Sequence, residues 1–118
     1  MDAEGLKELF SPFGGVTVKR MFSGHGVYAE GLCFAIAIGG EVYIKADAAS
    51  APQFGAAGSR PFVYEAKGKR ISVAYWLMVA AAYDDEDELK RWARLGLEAA
   101  RKAAAAKGKR GPKTRKTK

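Results

Sequence analysis

The stretch Leu32-Cys33-Phe34-Ala35-Ile36-Ala37-Ile38 decides the fold. It alternates large with small side chains and holds no charged residue. As a strand it places Leu32, Phe34, Ile36 and Ile38 on one face and Cys33, Ala35 and Ala37 on the other. Both faces are apolar, which predicts a central strand. The large side chains are expected in the main core, with the small ones under a closely packed neighbour. Downstream, Gly39-Gly40 is a two-residue hairpin signal leading into residues 41–46, with Val42 and Ile44 inward. Upstream, Glu30-Gly31 closes a strand over 24–29, which a turn at Ser23-Gly24 joins to a strand over 16–22. Residues 61–66 and 70–78 form another hairpin about Lys67-Gly68-Lys69. In its second strand Ile71, Val73, Tyr75 and Leu77 share the inward face, opposite Ser72, Ala74 and Trp76.

Helical spacing frames these strands. Asp2 caps a short helix whose Leu6, Leu9, Phe10 and Phe13 form one apolar stripe, ended by Pro12 and Gly14-Gly15. Asp47 caps an Ala-rich helix over 48–57, with Pro52 near its first turn and Gly58 as the stop. The last helix starts within Asp84–Glu88, where acids favour the positive end of the helix dipole. It buries Leu89, Trp92, Ala93, Gly96, Leu97 and Ala100, runs on through Ala106, and gives way to irregular chain from Gly108. Hairpin-length connections imply an antiparallel sheet, and helices grouped on one face give a two-layer α+β domain. The expected division is a domain over 1–104 and a basic, disordered tail over 105–118.

Charge is divided in the same way. The 118 residues carry a formal net charge of +7. Nine of the 20 Lys and Arg lie in Arg101–Lys118, which has no acid; the other eleven face all 13 acids in the first hundred residues. The body is therefore slightly acidic and the C-terminal end strongly cationic. One cysteine allows no internal disulfide, and Cys33 reads as a small core residue. The start has no basic region followed by an apolar stretch, and no apolar run approaches the roughly 20 residues of a membrane span. A soluble, cytoplasmic protein without a membrane partner is expected.

Several further stretches, taken in order, resemble the TfoX N-terminal domain family, named for a regulator of competence genes. They are Arg20-Met-Phe-Ser-Gly-His-Gly-Val-Tyr28, Phe34-Ala35, Tyr43-Ile-Lys45 with Asp47, and Gly58-Ser59-x-Pro61-Phe62-x-Tyr64. Tyr75 and Trp92-Ala93-x-x-x-Leu97-x-Ala99-Ala100 complete the set. The resemblance covers roughly residues 5 to 100. The chain departs from the family at Ser23, where Gly is usual, at His25, often an aromatic, and at Val79-Ala80, where many members carry Pro. The resemblance implies an antiparallel α+β fold similar to the type III secretion chaperones, which are often dimeric. It also implies a link to transcriptional regulation rather than a known reaction.

The residues offer few catalytic arrangements. Ser23-Gly24-His25-Gly26 invites an anion-cradle reading, yet it matches no phosphate-loop pattern and reads on into a strand, where glycines permit a tight turn. Arg20 is a candidate for a carboxylate, either within the domain at Glu41 or Asp47 or on a partner. The lone His25 excludes a histidine-pair metal site, and Ser23 has no nucleophile context. No enzyme, metal or cofactor is expected. The candidate partner site is the signature loop: Arg20, Met21, Phe22, Gly24, His25, Gly26 and Tyr28. Trp76 is a second candidate contact, as an exposed aromatic. Lys107, Lys109, Arg110, Lys113, Arg115, Lys116 and Lys118 are candidate nucleic-acid contacts, attracting phosphates without reading sequence. The expected function is a non-catalytic regulatory module, homodimeric, docking an unidentified protein partner, with a tail drawn to nucleic acid. The alternatives are a direct nucleic-acid binder using folded surface plus tail, and a small-molecule domain whose pocket joins Arg20, His25 and Tyr43.

Overall fold

The computed structural model describes residues 2–21, 24–66 and 69–110. Helix α1 (Ala3–Leu9) precedes a meander of β1 (Thr17–Met21), β2 (Gly24–Ala29), β3 (Leu32–Ile38) and β4 (Glu41–Lys45). Helix α2 (Ala51–Ala56) leads to β5 (Pro61–Ala66) and β6 (Lys69–Leu77), and short α3 (Ala81–Asp84) precedes long α4 (Glu86–Arg110). The strands form one antiparallel sheet in the order β1-β2-β3-β4-β6-β5. The predicted α+β class is the observed one. The last hairpin inserts so that β6, not β5, joins β4. Pro61, which has no N–H to donate, thereby falls on an edge strand, where a missing donor is tolerated.

Local chemistry fixes the helix starts. Asp2 Oδ1 accepts from the Gly5 N–H at 2.8 Å, and Asp85 Oδ1 accepts from the Asp87 and Glu88 N–H groups at 2.8 and 3.2 Å. Each satisfies donors that the first helical turn leaves without a partner. Asp47 acts one turn ahead of α2, accepting from the Ala49 and Ser50 N–H groups, while Ser50 Oγ accepts from the Asp47 N–H. Ser50 takes the N-cap position, so α2 is shorter than its alanine content suggested.

Phe10 and Phe13 set their rings on Phe34, each with centroids 5.5 Å apart, and Phe54 meets Trp92 at 4.6 Å. Residues of all four helices join Val27, Ala35, Ala37, Val42 and Ile44 in a single core. Helix α4 crosses the sheet at Gly96. A Cβ there would stand 2.6 Å from Ile44 Cγ2 and 2.9 Å from the Phe34 carbonyl oxygen. Only a bare backbone fits.

Four expectations need correction. Strand β3 is not a regular alternation: Val27 pairs with Ala35 but Tyr28 with Cys33, so Phe34 is an extra residue in a bulge. Past the bulge the faces exchange. Phe34, Ala35 and Ala37 join the helix-side core, whereas Ile36 is buried outside it, on the opposite face with Cys33. Cys33 is half-buried rather than a core residue. Trp76 also reverses: it sits opposite Ile44 and stacks on Phe54 at 6.2 Å, packed against the core, while Tyr75 and Leu77 take the other face. Finally, α4 continues through Gly108 to Arg110. A helix already nucleated on the sheet propagates through alanines at little cost, and one glycine opposes it by only about 1 kcal/mol. Residues 111–118, the rest of the predicted tail, lie outside the described residues.

Candidate functional site

With every helix on one side, the opposite sheet face is covered, among the described residues, only by its own side chains. On β4 that face reads Glu41, Tyr43, Lys45, by strand alternation. Ile36 and Tyr43 lie at its centre, 6% and 9% exposed, with the Phe62 ring 4.7 Å from Tyr43. Around them the surface is half-buried and aromatic. Lys19 Nζ lies 5.0 Å from the centre of the Tyr28 ring, and Lys45 Nζ 5.1 Å from that of Tyr75. Each ammonium faces the electron-rich side of its ring.

Cys33 links the two tyrosines. Tyr75 Oη donates to Cys33 Sγ at 3.7 Å, and the thiol donates to the Ala35 carbonyl at 3.4 Å. Burial, reinforced by the thiol, pushes the Tyr75 phenol well above the ordinary tyrosine range. Tyr28 is raised as well, chiefly by Cys33. This cluster was not legible beforehand, because Tyr28, Cys33 and Tyr75 converge only through the bulge and the β4–β6 pairing.

The structure divides the predicted signature loop between two faces. Register pairs Met21 with Gly24, Arg20 with His25 and Lys19 with Gly26. Met21, Gly24, Gly26 and Tyr28 therefore belong to the open face, and Arg20 and His25 to the other; Phe22 and Ser23 lie outside the described residues. The glycines are used for space. A Cβ on Gly26 would sit 3.0 Å from both Met21 Sδ and Tyr28 Cε1, and one on Gly24 would collide with the Ala37 carbonyl. Both sit inside β2, so their backbones belong to the ladder rather than to an open anion cradle. Arg20 is exposed, and the acids suggested for it are engaged elsewhere: Glu41 with Arg60 at 3.5 Å, Asp47 with Lys102 at 3.2 Å. Tyr43 lies on the face away from Arg20 and His25, so the three do not converge on one pocket.

At the far end of α4 two ion pairs tie the helix to the sheet. Arg101 Nε donates to Glu30 Oε1 at 2.9 Å, and a second guanidinium nitrogen reaches Oε2 in the forked geometry arginine favours. That hydrogen bonding lowers the Glu30 carboxyl below its usual range. Burial alone would raise Asp47, but the Ser50 N–H and Lys102 together bring it below the ordinary value. Arg101 and Lys102 are thus already neutralised within the domain. Lys107, Lys109 and Arg110 occupy the last turns of α4; Lys113, Arg115, Lys116 and Lys118 lie outside the described residues. Among the described residues, no group of three or more His, Cys, Asp or Glu is placed to hold a metal ion. No helix among them is long and apolar enough to cross a membrane.

A two-layer α+β domain with one helix-covered and one open sheet face defines the class. The TfoX N-terminal domain model matches residues 8–100, and the chain belongs to that family. No curated protein matches the chain.

Proposed function

We propose that the chain is a non-catalytic interaction module in transcriptional regulation, working in the cytoplasm as a homodimer joined through the open sheet face. The observation that carries this reading is the acid–aromatic–base order Glu41, Tyr43, Lys45 along β4. A strand of that pattern is its own complement. Under a dyad through Tyr43, each Lys45 meets the other copy's Glu41, as an isologous interface requires. Membership in a family named for a competence regulator supports the regulatory role. The dimer uses no cofactor and presents its outer surface to a regulatory protein partner.

Light scattering tests the dimer: the native chain is expected at twice 12.7 kDa. Ile38→Glu, on the same face, is expected to stay folded and become monomeric. In cells, that variant should also lose any effect of the native chain on transcript levels. A monomeric native protein, or turnover of a small molecule by the purified chain, sinks the reading.

A second reading, direct nucleic-acid binding by folded surface plus tail, is favoured by one observation. Lys107, Lys109 and Arg110 stand on a helix continuous with the core, not on a separate tail. Titrating DNA and RNA with a chain ending at Arg110, which keeps those three residues and removes 111–118, separates the readings, since binding that survives moderate salt points to the folded surface.

A further inference from the structure

Charge is separated along the length of α4. Its start, with the preceding residues Asp84 and Asp85, holds Glu86, Asp87 and Glu88; Val42, next to Glu41, donates its N–H to Tyr83 Oη just before them. The other end exits beside the β2–β3 turn and the end of β4, where Arg101 meets Glu30 and Lys102 meets Asp47. From Lys102 the helix runs on to Arg110, a projection of about 12 Å at 1.5 Å per residue.

A second element projects from this same end. Strand β6 pairs with β4 over Tyr75–Leu77, extended at this end by one bond from the Ala46 N–H to the Ala74 carbonyl and at the other by one from the Met78 N–H to the Val42 carbonyl. Residues 69–72 pair with β5 alone, with Ala66 opposite Lys69 and Glu65 opposite Arg70. They form a two-stranded ribbon that passes the end of β4 by about 17 Å. Where the helix leaves the sheet lies an open notch lined by Leu32, Cys33, Lys45 and Ala100, Ala103, Ala104 and Ala106 of α4. Cationic residues thus fall at three places on one end of the domain: Lys45 in the notch, Lys69 and Arg70 along the ribbon, and Lys107, Lys109 and Arg110 along the helix.

We propose that this end, ribbon and helix together, is the binding surface for the phosphate backbone of duplex DNA. The inference rests on the nucleic-acid reading above and locates its folded contribution. A two-stranded ribbon and a helix are the two elements a duplex groove admits. Cations spread over two prongs suit a linear polyanion better than a compact acidic peptide. The acidic pole at the opposite end repels the same ligand and so orients its approach.

The test uses the full-length chain and a duplex of about 20 base pairs of arbitrary sequence, titrated from about 50 to 200 mM salt. Lys69→Gln with Arg70→Gln is compared with Lys7→Gln with Lys90→Gln, an equal charge change away from this end. The ribbon pair is expected to weaken binding about five- to tenfold and to flatten the salt slope by about two, one for each phosphate left without its cation. The control pair should leave both within error. If the two pairs behave alike while the native chain binds, the inference is wrong and attraction by the tail alone remains. If the native chain does not bind duplex at all, the nucleic-acid reading falls with it. Should the ribbon variant fail to fold, lysine acetylation of the native complex decides: DNA is expected to protect Lys69 but not Lys7 or Lys90. Equal protection at all three overturns the proposal.

Discussion

The two faces of the sheet are built from the same strands but held together differently. On the helix side, Phe34, Ile44, Trp92 and Phe54 are sealed by a second layer of structure, each at most 1% exposed. On the open side, Ile36 and Tyr43 are covered by neighbouring side chains, with rings and lysine stems lying across the surface. One face is a core. The other is a surface that has partly buried itself. The difference teaches that apolar alternation in a strand does not say which face carries stability and which is free to recognise something.

Stability measurements on matched substitutions would break or sharpen that contrast. The largest effect is expected from Trp92→Ala, which empties a sealed site and should cost about 3–5 kcal/mol in denaturant unfolding. Tyr28→Ala on the open face should cost less than about 1.5 kcal/mol, since solvent and mobile neighbours fill the space. Equal losses would mean that the open face is a second core. The glycines give the next contrast. Gly96→Ala drives a methyl against the Phe34 carbonyl and Ile44, where backbone cannot yield, and should cost about 1–3 kcal/mol. Gly26→Ala meets only the ends of Met21 and Tyr28, which can move aside, and should cost less than about 1 kcal/mol.

Asp47 joins the two layers, ordering the turn before α2 and pairing with Lys102 of α4. Asp47→Asn keeps a capping oxygen and loses the charge that faces Lys102, and should cost about 0.5–1 kcal/mol, the size of a partly exposed ion pair. The sign of its pH dependence follows from the lowered folded pKa. The contribution is fully present above the ordinary aspartate value of about 3.9 and is lost as pH falls through the lower folded one. Acid unfolding curves of the native and Asn proteins should therefore converge at low pH. Curves that stay parallel would show that the charge is not what Asp47 contributes.

Some element boundaries were legible where local signals agree, though not those of α2 or the end of α4. β3 occupies Leu32–Ile38 as read, the Gly39-Gly40 hairpin forms, and Asp2 caps α1. Val42, Ile44 and Trp92 fall in the core for the same reason: periodicity and burial coincide there. The open face was not legible. It depends on the extra residue at Phe34, which exchanges the faces of β3 in mid-strand and leaves no mark in an alternating sequence. It also depends on β6 rather than β5 lying beside β4, a choice made by tertiary packing of Trp76 against Phe54. The signature glycines were read as a turn; Gly26 leaves space for Met21 and Tyr28 and Gly24 for the Ala37 carbonyl, which only the register reveals.

The smallest effect expected is also the most specific to the open face. Tyr75 is held neutral by burial and by its bond to Cys33, so its phenol ionises above the ordinary value near 10. In the unfolded chain it ionises at that ordinary value. Above pH 10 the unfolded state therefore sheds a proton that the folded state keeps, and stability falls as pH rises. Tyr75→Phe should cost only about 0.5–1 kcal/mol at neutral pH, for the hydrogen bond to the thiol. At high pH the ordering should reverse, because phenylalanine has no proton to lose. The crossing of the two stability curves is the measurement, and it separates this group from lysines that titrate equally in both proteins. Curves that never approach each other would mean that Tyr75 ionises freely, and that the open face is wetter than its packing indicates.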